Sequence, residues 1–188
     1  MTVHLIALGA NLAVSRAANA RKIACVARLL TFGAQCVTMS HLYSTPAWPP
    51  SSGPDFVNAV LALRLPLTPE AMLARLHRLE RWAGRVRGAR WGARVLDLDL
   101  LASGALVRPT PAGQRAWAAL DAQRQAARAP DTLILPHPRL ADRGFVLIPL
   151  CDVAPDWRHP LTGRTARAMR DALPAQARRE IRRLATPL

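Results

Sequence analysis

Two carboxylates stand two residues apart in Val95-Leu96-Asp97-Leu98-Asp99-Leu100-Leu101, the most strictly alternating stretch of the chain. On a strand such residues project to one face, so Asp97 and Asp99 lie side by side while Leu96, Leu98 and Leu100 turn to the core. Two anions that close repel unless a cation bridges them. Magnesium suits such a pair, since it takes one or two carboxylates together with water and substrate phosphates; a half-solvated strand without any ion can carry the same letters. Just upstream lie Arg85, Arg87, Arg90 and Arg94, with Trp91 and Gly92 among them. Guanidiniums leading into a di-acid strand can pair with triphosphate oxygens, although a solvated loop in an arginine-rich chain reads alike. Gly84, Gly88 and Gly92 give this loop the freedom a lid needs. In Phe56-Val57-Asn58-Ala59-Val60, Phe56 and Asn58 share a strand face, placing an aromatic platform beside a two-way amide. That suits a flat heterocycle with amide-like edges, and the plainer alternative is an asparagine bonded to backbone. His137, held between Pro136 and Pro138, is placed to meet a phosphate or a metal, or to stand in solvent.

These side chains need a frame. Val3 to Gly9 is an apolar run ending on glycine and reads as a buried strand. Ser15 is the N-cap of a helix predicted to run to Leu30, and Gln35 to Ser44 is rich enough in β-branched and aromatic residues for a second strand. Thr45 to Asp55 holds four prolines and a glycine and must be loop. Phe56 to Leu65 is a third strand. Thr68 caps a helix with Pro69 in its first position and Ala71 to Trp82 behind, and Arg94 to Leu101 is the fourth strand. Strand, helix, strand, strand, helix, strand is the order of a ferredoxin-like α+β sandwich, with helices packed on one face of a mainly antiparallel sheet. Further on, Ser103 to Val107 reads as a short strand and Gln114 to Arg128 as helix. Arg143 to Cys151 is a helix containing Pro149, and Thr162 to Ala172 and Ala175 to Leu184 are C-terminal helices. Residues 1–188 are expected to form a single domain with an insertion at about 108–130.

Composition bounds the function classes. At 188 residues and 51% apolar, the chain can bury one sizeable core, and it lacks the apolar poverty of a disordered protein. No apolar run reaches the roughly 18 residues of a membrane span. Met1 to Leu12 has no basic region ahead of its apolar stretch, so no secretion signal is expected. Cys25, Cys36 and Cys151 are odd in number, widely spaced and without a metal-ligand pattern, and read as buried thiols in a reducing cytosol. The net charge of +14 points to a polyanionic partner. Lys22 is nonetheless the only lysine, and the arginines are dispersed through an alanine- and proline-rich chain, a pattern that coding bias produces without any partner.

Taken in order, a set of segments resembles the 6-hydroxymethyl-7,8-dihydropterin pyrophosphokinases of folate biosynthesis. They are Leu8-Gly9-Ala10-Asn11-Leu12, Tyr43-Ser44-Thr45-Pro46, Phe56 to Val60, Leu79-Glu80 with Gly84 to Arg87, Arg90 to Leu101, Leu135 to Leu140, Arg143 to Leu147, Pro149-Leu150 and Ala154-Pro155. The resemblance implies ATP and magnesium as co-substrates and transfer of an intact pyrophosphoryl group to a hydroxymethyl oxygen, releasing AMP. It makes Asp97 and Asp99 the ligands of two magnesium ions and, with Arg85 and Arg94, the catalytic set. Glu80, Arg87, Trp91, His137 and Arg143 would bind nucleotide. Phe56 and Phe145 would sandwich the pterin, with Thr45, Pro46 and Asn58 along its polar edge. The expected partners are the two small substrates, with no membrane and no nucleic acid, and the expected state is a monomer, with a dimer as the alternative. Two other readings stand beside this one: a non-catalytic nucleotide- or pterin-binding member of the same fold, and an arginine-rich nucleic-acid-binding module. The excursion from Arg108 to Pro130 is roughly twenty residues longer than the family's usual connection.

Overall fold

The computed structural model describes residues 1–11, 15–47, 53–84, 95–127 and 130–185. β1 (Thr2–Ala10) is the central strand, paired antiparallel with β4 (Phe56–Leu65) on one side and β5 (Asp97–Ser103) on the other. β2 (Cys36–Met39) and β3 (Tyr43–Thr45) both pair with β4, and β6 (Arg182–Arg183) pairs with β3. The order β5-β1-β4-β3-β6, with β2 also on β4, places the four main strands as a ferredoxin-like sandwich requires.

Alternation along the strands divides the core in two. Ile6, Leu8, Val57, Leu61, Leu96, Leu98 and Leu100 bury one sheet face with Ile23, Val26 and Leu30 of α1 (Arg16–Thr31) and Met72 and Leu76 of α2 (Pro69–Trp82). Both helices begin as their caps dictate: the Ser15 hydroxyl accepts from Ala18 N, and the Thr68 hydroxyl from Ala71 N. Arg75 reaches from α2 to the Leu29 and Phe32 carbonyls, at 2.8 and 3.2 Å, and closes the C-terminal end of α1. The opposite face is covered as well, which differs from the expectation of helices on one side. There Leu5, Val60, Leu101 and Ala102 meet Val146, Leu147 and Leu150 of α5 (Gly144–Val153) and Ala166 and Met169 of α6 (Ala166–Asp171). The strongly apolar α5 finds its place here.

The predicted strand from Gln35 to Ser44 is broken at Ser40. Ser40 N donates to Val60 O, its hydroxyl accepts from Val60 N at 2.9 Å, and the same hydroxyl donates to His41 O. The register moves by one, from Met39 opposite Leu61 to Tyr43 opposite Asn58. This bulge turns Tyr43 and Thr45 away from the face that Met39 shares and onto the face that carries Asn58.

Two other expectations are corrected. Ser103 to Val107 is no separate strand: Ser103 ends β5, Gly104 turns with φ 56°, and Leu106 N closes onto Ser103 O. The helix from Ala175 stops at Arg179 as α7 (Ala175–Arg179), and the chain then straightens into β6 because β3 offers an open edge. Within the excursion lie α3 (Pro111–Ala118) and α4 (Ala122–Ala127). Among the described residues no helix is long and apolar enough to cross a membrane.

Candidate active site

Four strands bring one residue each into a row across the face that α5 covers. Asp97 lies opposite Gly9, Gly9 opposite Asn58, and Asn58 opposite Tyr43. One step along, Asp99 lies opposite Ala7. The two acids are half-buried, and the residues beside them on β1 are the smallest available. Gly9 has a specific reason to lack a side chain: a Cβ there would stand 2.9 Å from Asn58 Oδ1.

Asn58 is 6% exposed and therefore needs its polar atoms occupied. Its Nδ2 donates to Thr45 Oγ1 at 2.8 Å, a side-chain partner where the sequence left a backbone one open. Thr45 is paired in turn with Phe56. Pro46 follows Thr45 and is exposed, and Ser44 donates to Asp55 at 3.3 Å.

The other wall comes from α5 and the loop before it. Arg143 Nη1 donates to Asp99 Oδ2 at 3.3 Å, and its guanidinium carbon lies 5.6 Å from the centre of the Phe145 ring. Both ends of that ion pair keep about a third or a quarter of their side-chain surface (33% and 26%). Such a pair adds about 0–1 kcal/mol to stability, so its meaning is where it holds charge. Phe145 is 36% exposed, an open aromatic surface.

His137 is fixed by its backbone: its N–H donates to Leu101 O at 2.8 Å, and its Nδ1 accepts from Arg139 N at 3.1 Å. An Nδ1 that accepts carries no proton, so the neutral ring carries its proton on Nε2. Burial pushes the imidazole down to about 4, against the pull of Asp99 and with the push of Arg143 and Arg139. The ring is thus neutral at physiological pH.

Glu80 sits elsewhere than among the open groups. It is 4% exposed on α2, and Oε1 accepts from Leu98 N at 2.8 Å, between the two aspartates. Its spacing from Met72 and Leu76 continues the buried stripe of the helix, the signal that an acid was being drawn inward.

Arg85, Arg87, Trp91 and Arg94 lie outside the described residues. Sequence reasoning missed Asp152. Its Oδ2 on α5 accepts from His41 N, His41 Nδ1 and Tyr43 OH at 3.1, 3.0 and 2.9 Å, tying α5 to β3. Burial first, and Asp152 second, hold the Tyr43 phenol protonated. No local pattern signals this pairing across more than a hundred residues.

A magnesium site can be weighed on the donors present. Asp97 and Asp99 are two hard oxygen donors on one face with the small Gly9 and Ala7 opposite them on β1, which fits a small divalent cation that keeps water and phosphate ligands. Among the described residues no group of three or more metal-ligating side chains gathers.

Comparison with known proteins gives the family of the chain. Residues 5–155 match the family model for 7,8-dihydro-6-hydroxymethylpterin-pyrophosphokinase. A 2-amino-4-hydroxy-6-hydroxymethyldihydropteridine pyrophosphokinase from Synechocystis is 36% identical over 72% of this chain and 59% of its own length. Those of Methylorubrum extorquens and Pseudomonas aeruginosa are 34% and 37% identical, over 83% and 82% of this chain and 85% and 82% of theirs. Among solved structures, Plasmodium falciparum HPPK-DHPS with SDX-DHP is similar over 91% of this chain and 43% of that one, with TM-score 0.57 and 13% identity, which speaks to the fold alone. The chain therefore spans about three-fifths of the Synechocystis relative and less than half of the Plasmodium protein. A matched family model over most of its length, with relatives above one-third identity, makes this chain a member of the 7,8-dihydro-6-hydroxymethylpterin-pyrophosphokinase family.

Proposed function

We propose that the chain transfers the pyrophosphoryl group of ATP intact to the hydroxymethyl oxygen of 6-hydroxymethyl-7,8-dihydropterin, as a monomeric cytoplasmic enzyme of folate biosynthesis. The substrate oxygen attacks the β-phosphorus, the bond from that phosphorus to the α-phosphate oxygen breaks, AMP leaves, and the hydroxyl proton is released. The observation that carries this reading is the single sheet face on which Asp97 stands in register with Asn58 across Gly9, with Asp99 one step along. It sets an anion-organising end on β5 and a heterocycle-reading end on β4, with only β1 between them.

Each end follows from its residues. Asn58, anchored on Thr45, retains an N–H and a carbonyl oxygen for the amide-like edge of a pterin. Phe56 and Phe145 supply ring faces from β4 and α5. Arg143 brings a fixed positive charge to the carboxylates, where a triphosphate arrives with its own negative charge. His137, neutral with its proton on Nε2, donates to a phosphate oxygen without requiring protonation. Asp97 and Asp99 would hold two magnesium ions, which when bound neutralise charge on the triphosphate. Arg85 and Arg94 would act with the two aspartates as the catalytic set, and Arg87 and Trp91 would bind the nucleotide. Cys25, Cys36 and Cys151 are free thiols, Cys25 and Cys36 exposed rather than buried as expected, and free thiols support a reducing compartment.

The test is AMP formation from Mg-ATP and the dihydropterin. Asp97→Ala and Asp99→Ala are each expected to lower it by about two to three orders of magnitude while circular dichroism stays that of the parent. Turnover at the parental rate in either variant would reject the assignment.

A further inference from the structure

The excursion between β5 and the His137 loop folds back on that loop. Arg108 N donates to Leu135 O at 2.9 Å and Leu135 N to Arg108 O at 3.2 Å, so a two-way bridge closes the segment at its base. Inside it, Thr110 caps α3 by accepting from Gly113 N, and Pro111 fills the first turn. This sets Gln114 one turn in, pointing down. Although α3 is otherwise exposed along most of its length, Gln114 is 3% exposed, and its Nε2 donates to Pro136 O at 3.1 Å.

A buried primary amide is costly to desolvate unless it is bonded, so its burial there marks a made contact rather than a solvated face. The carbonyl it holds belongs to the residue immediately before His137. From there the path is short: His137 N is bonded to Leu101 O on β5, two residues past Asp99, and Arg143 pairs with Asp99 itself.

We propose that Gln114 is a positioning residue for His137, and that the excursion serves the phosphate end of the site as an internal brace. Resting on the pyrophosphokinase reading above, this deepens it by giving the added segment a role toward the nucleotide and none toward the pterin. Gln114 touches neither substrate. It fixes the peptide that aims the imidazole.

Gln114→Met keeps the volume and removes the donor; Gln114→Ala removes both. In Gln114→Met the KM for ATP and the Kd for a non-hydrolysable ATP analogue should rise about five- to tenfold, with KM for the dihydropterin and kcat within twofold of the parent. The His137 amide should lose hydrogen-exchange protection while the amides of β1 keep theirs. Equal losses for both substrates, or an unchanged His137 amide with unchanged ATP binding, would overturn the proposal. The exchange measurement needs no turnover, so it judges the brace even should the parent protein fail to form AMP, which would reject the underlying reading alone. Should Gln114→Ala not fold, Gln114→Met carries the decision.

Discussion

Gly9 and Asn58 show how much one missing atom can fix. Because a Cβ at Gly9 would stand 2.9 Å from Asn58 Oδ1, and Asn58 is tethered to Thr45 at 2.8 Å, neither partner can yield without breaking the other contact. Gly9→Ala is expected to weaken dihydropterin binding about tenfold, the scale of one lost buried hydrogen bond, and to leave ATP-analogue binding nearly unchanged; titration calorimetry with each ligand separately would check it. Equal losses would place the damage in the strand as a whole. The acids of β5 were legible because alternation puts Asp97 and Asp99 on one face whatever lies beyond. Asn58 was legible as a polar residue in an apolar strand, but its partner was not. Thr45 reaches it only because the Ser40 bulge reverses the facing of β3, and a one-residue bulge leaves no periodic trace in a stretch as short as Gln35 to Ser44.

At the scale of elements, the caps at Ser15 and Thr68 and the strands Val3 to Gly9 and Phe56 to Leu65 could be read locally, since local chemistry sets them. The C-terminal strand could not. Arg182 and Arg183 are exposed and charged, and only the open edge of β3 makes them a strand. That strand is held at both ends: Leu184 N donates to Leu42 O at 2.8 Å, and Ile181 Cδ1 would lie 2.7 Å from a Cβ added at Gly144. Gly144 is thus small because Ile181 fills its place, next to both Arg143 and Phe145. A chain ended after Glu180 should lose β3 pairing and the seat of α5 together. We expect its dihydropterin affinity to fall more than tenfold while the α1 and α2 side of the core keeps its hydrogen-exchange protection. Parental affinity in the shortened protein would show that the strand braces nothing at the site.

For the whole molecule, three imidazoles set an acid limit. His4, bonded to Ser103 at 2.9 Å and fully buried, has its pKa lowered by burial, only partly offset by the Leu67 and Leu65 carbonyls. His159 is lowered by burial too, and His137 falls to about 4. A group that titrates lower in the folded state than at its ordinary 6.5 contributes in full above 6.5 and loses its contribution as pH falls toward the folded value, because the unfolded chain takes up the proton first. The urea midpoint should therefore be level from pH 7 to 8 and decline steadily from about 6.5 to 5, and His4→Gln should make that decline shallower. A midpoint independent of pH across this interval would contradict the buried neutral state.

The helix α5 ties these scales together. Arg143, just ahead of its first turn, pairs with Asp99, and Asp152 in its last turn grips His41 and Tyr43 beside Thr45. A rigid rod fastened at both tips cannot swing at one without swinging at the other. On the proposed reaction, a substrate that stills one tip would still the other with it.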